Sequence, residues 1–142
     1  MTTTQSFQAL FQPLPPDDPG ARLILFGFRQ MGARGLDDAC VAHSFMTAFG
    51  KDFRRPLVLL RTLMMELSST TTGPIQIAPW CCARLTPAEA GILDVLRTCL
   101  SNERTAGLLL ADLLGTRDAA GPLATATALA IAFADLGLPL GG

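Results

Sequence analysis

Charge is scarce in this sequence. Asp, Glu, Lys and Arg make up 16% of its 142 residues, against about 25% in an ordinary soluble domain. The eleven Lys and Arg are balanced by twelve Asp and Glu and form no long run. Binding of nucleic acid demands a basic footprint, so no nucleic-acid partner is expected. Long apolar runs are missing too. Pro122 to Ala134 carries no charge, but Asp135 ends the stretch, well short of the roughly twenty residues a spanning helix needs. A buried helix is expected there, and no membrane span. The opening "MTTTQSFQALFQPLPPDDPG" lacks the basic start and apolar core of a secretory signal. Four cysteines are too few for a disulfide framework. Free thiols in a reducing cytoplasm are the expectation. Neither a P-loop nor a G-x-G-x-x-G occurs, no carboxylate pair is placed for acid–base work, and no internal repeat is visible.

Apolar residues, by contrast, make up 49% of the chain. A chain of this length supports one core without staples. So much apolar side chain with so little charge implies either deep burial or a surface covered by a partner. A homodimer interface or another protein partner would supply that cover.

Residues 1–19 read as a Pro-rich arm. Pro13, Pro15, Pro16 and Pro19 oppose helix, and Asp17 and Asp18 favour a turn. Residues 20–142 then read as a single helical domain. A first helix is expected from Ala21 to Met31, with Arg22 and Arg29 on one narrow face and the rest available for burial. Gly27 inside it marks a close helix crossing. A second helix, Asp37 to Phe49, carries Val41, Phe45, Ala48 and Phe49 as a core stripe, and Gly50 stops it. A third covers Phe53 to Leu67, capped by Asp52, with Pro56 in its first turn. Leu57, Leu60, Met64 and Leu67 form its stripe. "PIQIAP", residues 74–79, alternates like a short strand or runs as an extended linker.

The clearest local signal is "LTPAEAGILDVLRTCL". Thr86 caps the helix, Pro87 takes its first position, Glu89 completes a capping box, and Ile92, Leu93, Leu96, Cys99 and Leu100 supply the buried face. Ser101 to Leu114 is a fifth helix, capped by Ser101 or Asn102, with Leu108 to Leu110, Leu113 and Leu114 facing in. A final helix follows Gly121 and Pro122 and stops near Gly137. The fold class expected is therefore all-α, a compact bundle of five to six helices with a short extended segment at 74–79.

Candidate sites are few. Cys40 and the only histidine, His43, lie three apart on the second helix, so their side chains converge. With Cys81 and Cys82 they make a nominal Cys3His set suited to zinc. Adjacent cysteines depart from the usual ligand spacing. Cys81 and Cys82 alone suggest a thiol-redox pair, although the common active pair is CxxC. The bland reading is that all four cysteines, Cys99 included, are small apolar residues. "KDFRRP" sets Lys51, Arg54 and Arg55 about a helix start, where free N–H groups and guanidinium groups suit an anion. Its plain alternative is a solvated basic corner. Trp80 reads as a core or interface anchor.

The stretches "ARLILFGFRQMGARGLDDACVAHSFMTAFGKDFRRPLVLLRTLMMEL" and "IQIAPWCCARLTPAE" resemble a family of short uncharacterised proteins from alphaproteobacteria, the sphingomonad group especially. The resemblance spans residues 20–100. It rests on Arg29, the Leu36–Asp38 turn, His43, the Phe53–Arg61 segment and the Pro79–Cys82 turn. It implies a bacterial cytoplasmic origin and no catalytic role. The functional expectation is a non-enzymatic accessory or interaction protein that self-associates through apolar helix faces. Its alternative is a small metal-binding or thiol-redox protein using Cys81 and Cys82 with Cys40 and His43.

Overall fold

A computed structural model of the chain describes residues 16–73, 75, 77–79 and 84–140. Among them six α-helices form: α1 Pro19–Arg34, α2 Ala39–Phe49, α3 Arg54–Thr70, α4 Pro87–Thr98, α5 Glu103–Leu114 and α6 Ala120–Asp135. A 3-10 turn, Gly50–Asp52, joins α2 to α3. The all-α bundle expected from the sequence is the fold. Residues 75 and 77–79 form no strand. Pro74 and Gln76, the other residues of that extended segment, lie outside the described residues.

The helix starts follow local chemistry. The Asp18 carboxylate accepts from the Ala21 N–H at 3.2 Å, and Pro19 opens α1. A proline there loses nothing, because its N–H would be unpaired anyway. Asp38 caps α2 by accepting from the Val41 N–H, and Asn102 caps α5 through the Thr105 N–H. At α3 the outcome differs from expectation. Asp52 falls in the 3-10 turn, and Phe53 takes the cap position with no side-chain bond. At the other end of α3, the Thr72 N–H donates to the Leu114 carbonyl at 3.0 Å. The next residue, Gly115, has φ +67°, and a Cβ on it would strike Thr72 Oγ1. Glycine is needed at that junction twice over, for conformation and for space.

Helices α3 and α6 run antiparallel. Arg55 meets Asp135 at one end and Glu66 meets Thr125 at the other. Leu57, Leu60, Leu63, Met64 and Leu67 of α3 are buried against this partner and α1. Phe45, Phe49 and Phe133 stack edge-to-face with centroids 5.0–6.0 Å apart, a favoured aromatic geometry. Gly27 does mark a close crossing, since a Cβ there would sit 2.5 Å from Leu60 Cδ2. The charge-free stretch of α6, residues 122–134, packs into the core. Ala126, Leu129, Ala130, Ala132 and Phe133 are each at most 1% exposed. Among the described residues no helix is long and apolar enough to cross a membrane.

Three apolar expectations change. Ala48 is exposed, because α2 lies at the bundle edge and turns only its Val41–Phe45–Phe49 side to α1, α3 and Phe133 of α6. Leu108 and Leu109 are 64% and 41% exposed, while Ala106, Leu110 and Leu114 form the inward face of α5. Three consecutive leucines cannot share one face at 3.6 residues per turn. Leu100 also faces out, from the turn beyond α4.

Phe133 is fully buried and sits in the aromatic cluster. Phe133→Ala is expected to cost about 3–5 kcal/mol, read as a lower midpoint in urea unfolding with an unchanged slope.

Candidate functional site

The capping box at the start of α4 does more than begin a helix. Thr86 Oγ1 accepts from the Glu89 N–H at 3.1 Å, and Glu89 Oε1 accepts from the Thr86 N–H at 2.8 Å. The same carboxylate meets Arg29 of α1 side-on. Arg29 Nε donates to Oε2 at 2.8 Å and Nη2 to Oε1 at 3.0 Å. The Ala78 N–H donates to Oε2 at 3.1 Å, and Arg29 Nη2 also reaches the Arg84 carbonyl at 2.9 Å. Side-chain exposures of 4% and 1% put both charges inside the protein. Buried charges are tolerated only when paired and fully bonded, and this pair is both. Its bonds reach α1, α4 and both sides of the connecting segment.

Next to this tie runs a groove of about 1090 Å³ between the C-terminal turns of α1 and α3. Met31, Gly32 and Leu36 form one bank, and Met64, Met65 and Leu67 the other. Ile75, Ile77, Ala78 and Pro79 make a third wall. Gly32 leaves room for Ile77, whose Cδ1 lies 3.4 Å from where a Cβ would stand. Two charged residues line the groove among those described, Arg29 and Glu66. Both are engaged, Arg29 with Glu89 and Glu66 with the Thr125 hydroxyl. The remaining polar groups are uncharged, on Ser68, Ser69 and Thr71. A groove of this size and lining suits an apolar ligand or side chains. Its described residues include no constellation of nucleophile, base and orienting group.

The sequence missed the role of Arg29. It shares a face with Arg22, yet Arg22 is exposed and Arg29 is 5% exposed. The difference arises because Arg84 and Glu89 bond to the C-terminal half of α1 at Arg29. An arginine within an otherwise apolar helix, together with a capping-box glutamate elsewhere in the chain, was the available signal.

Of the residues singled out for chemistry, Cys40 and His43 are described on α2 and Arg54 and Arg55 on α3. Cys40 and His43 are both exposed on α2, one turn apart. Cys81, Cys82 and Trp80 lie outside the described residues. Among the described residues no three His, Cys, Asp or Glu side chains are placed to hold a metal. Cys99 is 3% exposed, and its Sγ donates to the Leu96 carbonyl at 3.3 Å. Burial pushes its thiol pKa up, which suits a packing role. Arg54 lies over the Phe53 ring at 5.7 Å, and Arg55 pairs with Asp135 at 3.4 Å. With Lys51, Asp52 and Leu136 they border a depression of about 300 Å³.

DUF6628, a family of unknown function, matches residues 1–136 of the chain. No curated protein and no solved structure matches it.

Removing one partner of a buried pair strands the other charge. Arg29→Met is therefore expected to lose about 3–5 kcal/mol of stability. The double variant Arg29→Met/Glu89→Met should recover part of that loss, measured as a non-additive cycle in chemical denaturation. Additive losses would show that the two side chains are not coupled.

Proposed function

This chain belongs to DUF6628, a family of unknown function, and from that premise we propose a non-enzymatic interaction protein that holds an apolar part of a protein partner. The observation that carries the reading is the groove beside the Arg29–Glu89 tie. It is large, mostly apolar, and has no unpaired charge on its described walls. Self-association belongs to the same reading and uses a different surface. Leu100, Leu108 and Leu109 are exposed in and after the α4–α5 turn, and apolar side chains of this size favour burial against a second copy. A bacterial cytoplasmic setting fits the resemblance to sphingomonad-type proteins and the small number of cysteines.

The second reading is a zinc or thiol-redox protein. Its support is that Cys40 and His43 are accessible and adjacent on the surface of α2. Cys81 and Cys82 would complete the set.

Sedimentation velocity across micromolar concentrations is expected to show a dimer that Leu108→Glu dissociates. Monomer throughout would remove self-association from the reading. Elemental analysis of untagged protein purified without chelator is expected to show no stoichiometric metal. Near-stoichiometric zinc, lost in Cys40→Ser, would put the second reading first.

A further inference from the structure

We infer that α5 packs antiparallel on α5 of a second copy of this chain, with Leu108 on the two-fold axis and Arg104 of each copy beside Asp112 of the partner subunit. This rests on the self-association reading above and gives that contact its geometry.

Ala106, Leu110 and Leu114 turn the inner side of α5 to the bundle. Leu108 stands about 200° round the helix from both Ala106 and Leu110, so it points straight out. At 64% it is the most exposed of the large apolar side chains described, and Leu109 flanks it at 41%. Two charges share that outward face. Arg104 lies four residues before Leu108 and Asp112 four residues after it, and both are exposed. Each is about 6 Å from Leu108 along the helix axis. Thr105, also exposed on this side, is neutral. Glu103 is the remaining exposed residue of α5, and it stands about 140° round from Leu108.

A two-fold contact places one patch on itself, so the patch must complement itself. In an antiparallel helix pair, residues equally far before and after the axial residue face each other. Arg104 and Asp112 meet that condition about Leu108 and are opposite in sign. The face is therefore its own electrostatic complement. A parallel pair would set arginine on arginine and aspartate on aspartate.

Within the chain these two charges serve nothing. Neither forms an ion pair or a side-chain hydrogen bond among the described residues. Each also sits at the unfavourable end of its helix. Carboxylates suit a first turn and cations a last turn, yet Arg104 is the second residue of α5 and Asp112 the third from its end. An antiparallel neighbour corrects both placements. It brings its C-terminal carbonyls beside Arg104 and its N-terminal N–H groups beside Asp112.

The experiment measures the dimer dissociation constant of the full chain by sedimentation equilibrium at low salt. Arg104→Glu and Asp112→Arg each create two like-charge pairs per dimer, and each is expected to weaken association roughly tenfold. An equimolar mixture of the two variants should form a heterodimer of near-original affinity, because both pairs are then opposite in sign. Arg104→Glu/Asp112→Arg in one chain should restore the homodimer in the same way. Added salt should shrink all these differences. Both single changes favour the α5 dipole, so the thermal midpoint of each dilute, monomeric variant is expected to hold or rise. That readout separates lost pairing from lost folding. A dimer indifferent to both single changes, or a mixture that recovers nothing, would overturn the inference and leave self-association standing. A monomer at every concentration would overturn both.

Discussion

One carboxylate organises the connection between the two halves of the molecule. Glu89 caps α4, pairs with Arg29 of α1 and receives the Ala78 N–H. A buried carboxylate is costly unless every lone pair has a donor. The donors come from three different parts of the chain, so satisfying Glu89 fixes where those parts lie. The groove follows directly. Its Ile77–Pro79 wall has no sheet to belong to and is placed against α1 through Ala78, while Gly32 grants Ile77 its approach. A purely apolar residue at 89 would fill space equally well. It would remove the acceptor that the Thr86 and Ala78 N–H groups and the Arg29 guanidinium share.

The sequence told its local story well and its long-range story poorly. Thr86, Pro87 and Glu89 announced a helix start, and each takes the expected position. Gly27 announced a close crossing for the reason that glycine tolerates one. The stripe on α3 was legible because a helix packed on one broad face writes its period into the sequence. The failures share a cause. Leu108, Leu109 and Leu100 are apolar yet exposed, and composition alone cannot say which of several consecutive leucines faces in. Arg29 was read by the face it shares with Arg22. Its burial depends on a segment about sixty residues away, and no periodicity carries that information. Asp52 looked like a cap, but the 3-10 turn advanced the start of α3 past it.

The candidate site was less legible than the fold. Cys40, His43, Arg54 and Arg55 drew attention because their chemistry is versatile, and all of them are on the surface. The groove is made from methionine, isoleucine and glycine, which look like ordinary core in a sequence. It takes shape only where two helix ends meet Ile75 and Ile77–Pro79. Recognition surfaces built from apolar side chains announce themselves through shape, which appears only when the elements are assembled.

Alanine gives α6 a further consequence. Ala126, Ala130 and Ala132 meet the bundle through single methyl groups and are almost wholly enclosed. They set the girth of the molecule, as a spacer sets the gap between two plates. A larger side chain at any of them would push α6 away from the helices it packs on, and Glu66 of α3, which lines the groove, bonds to Thr125 of α6. The seating of α6 thus bears on the groove through this one bond.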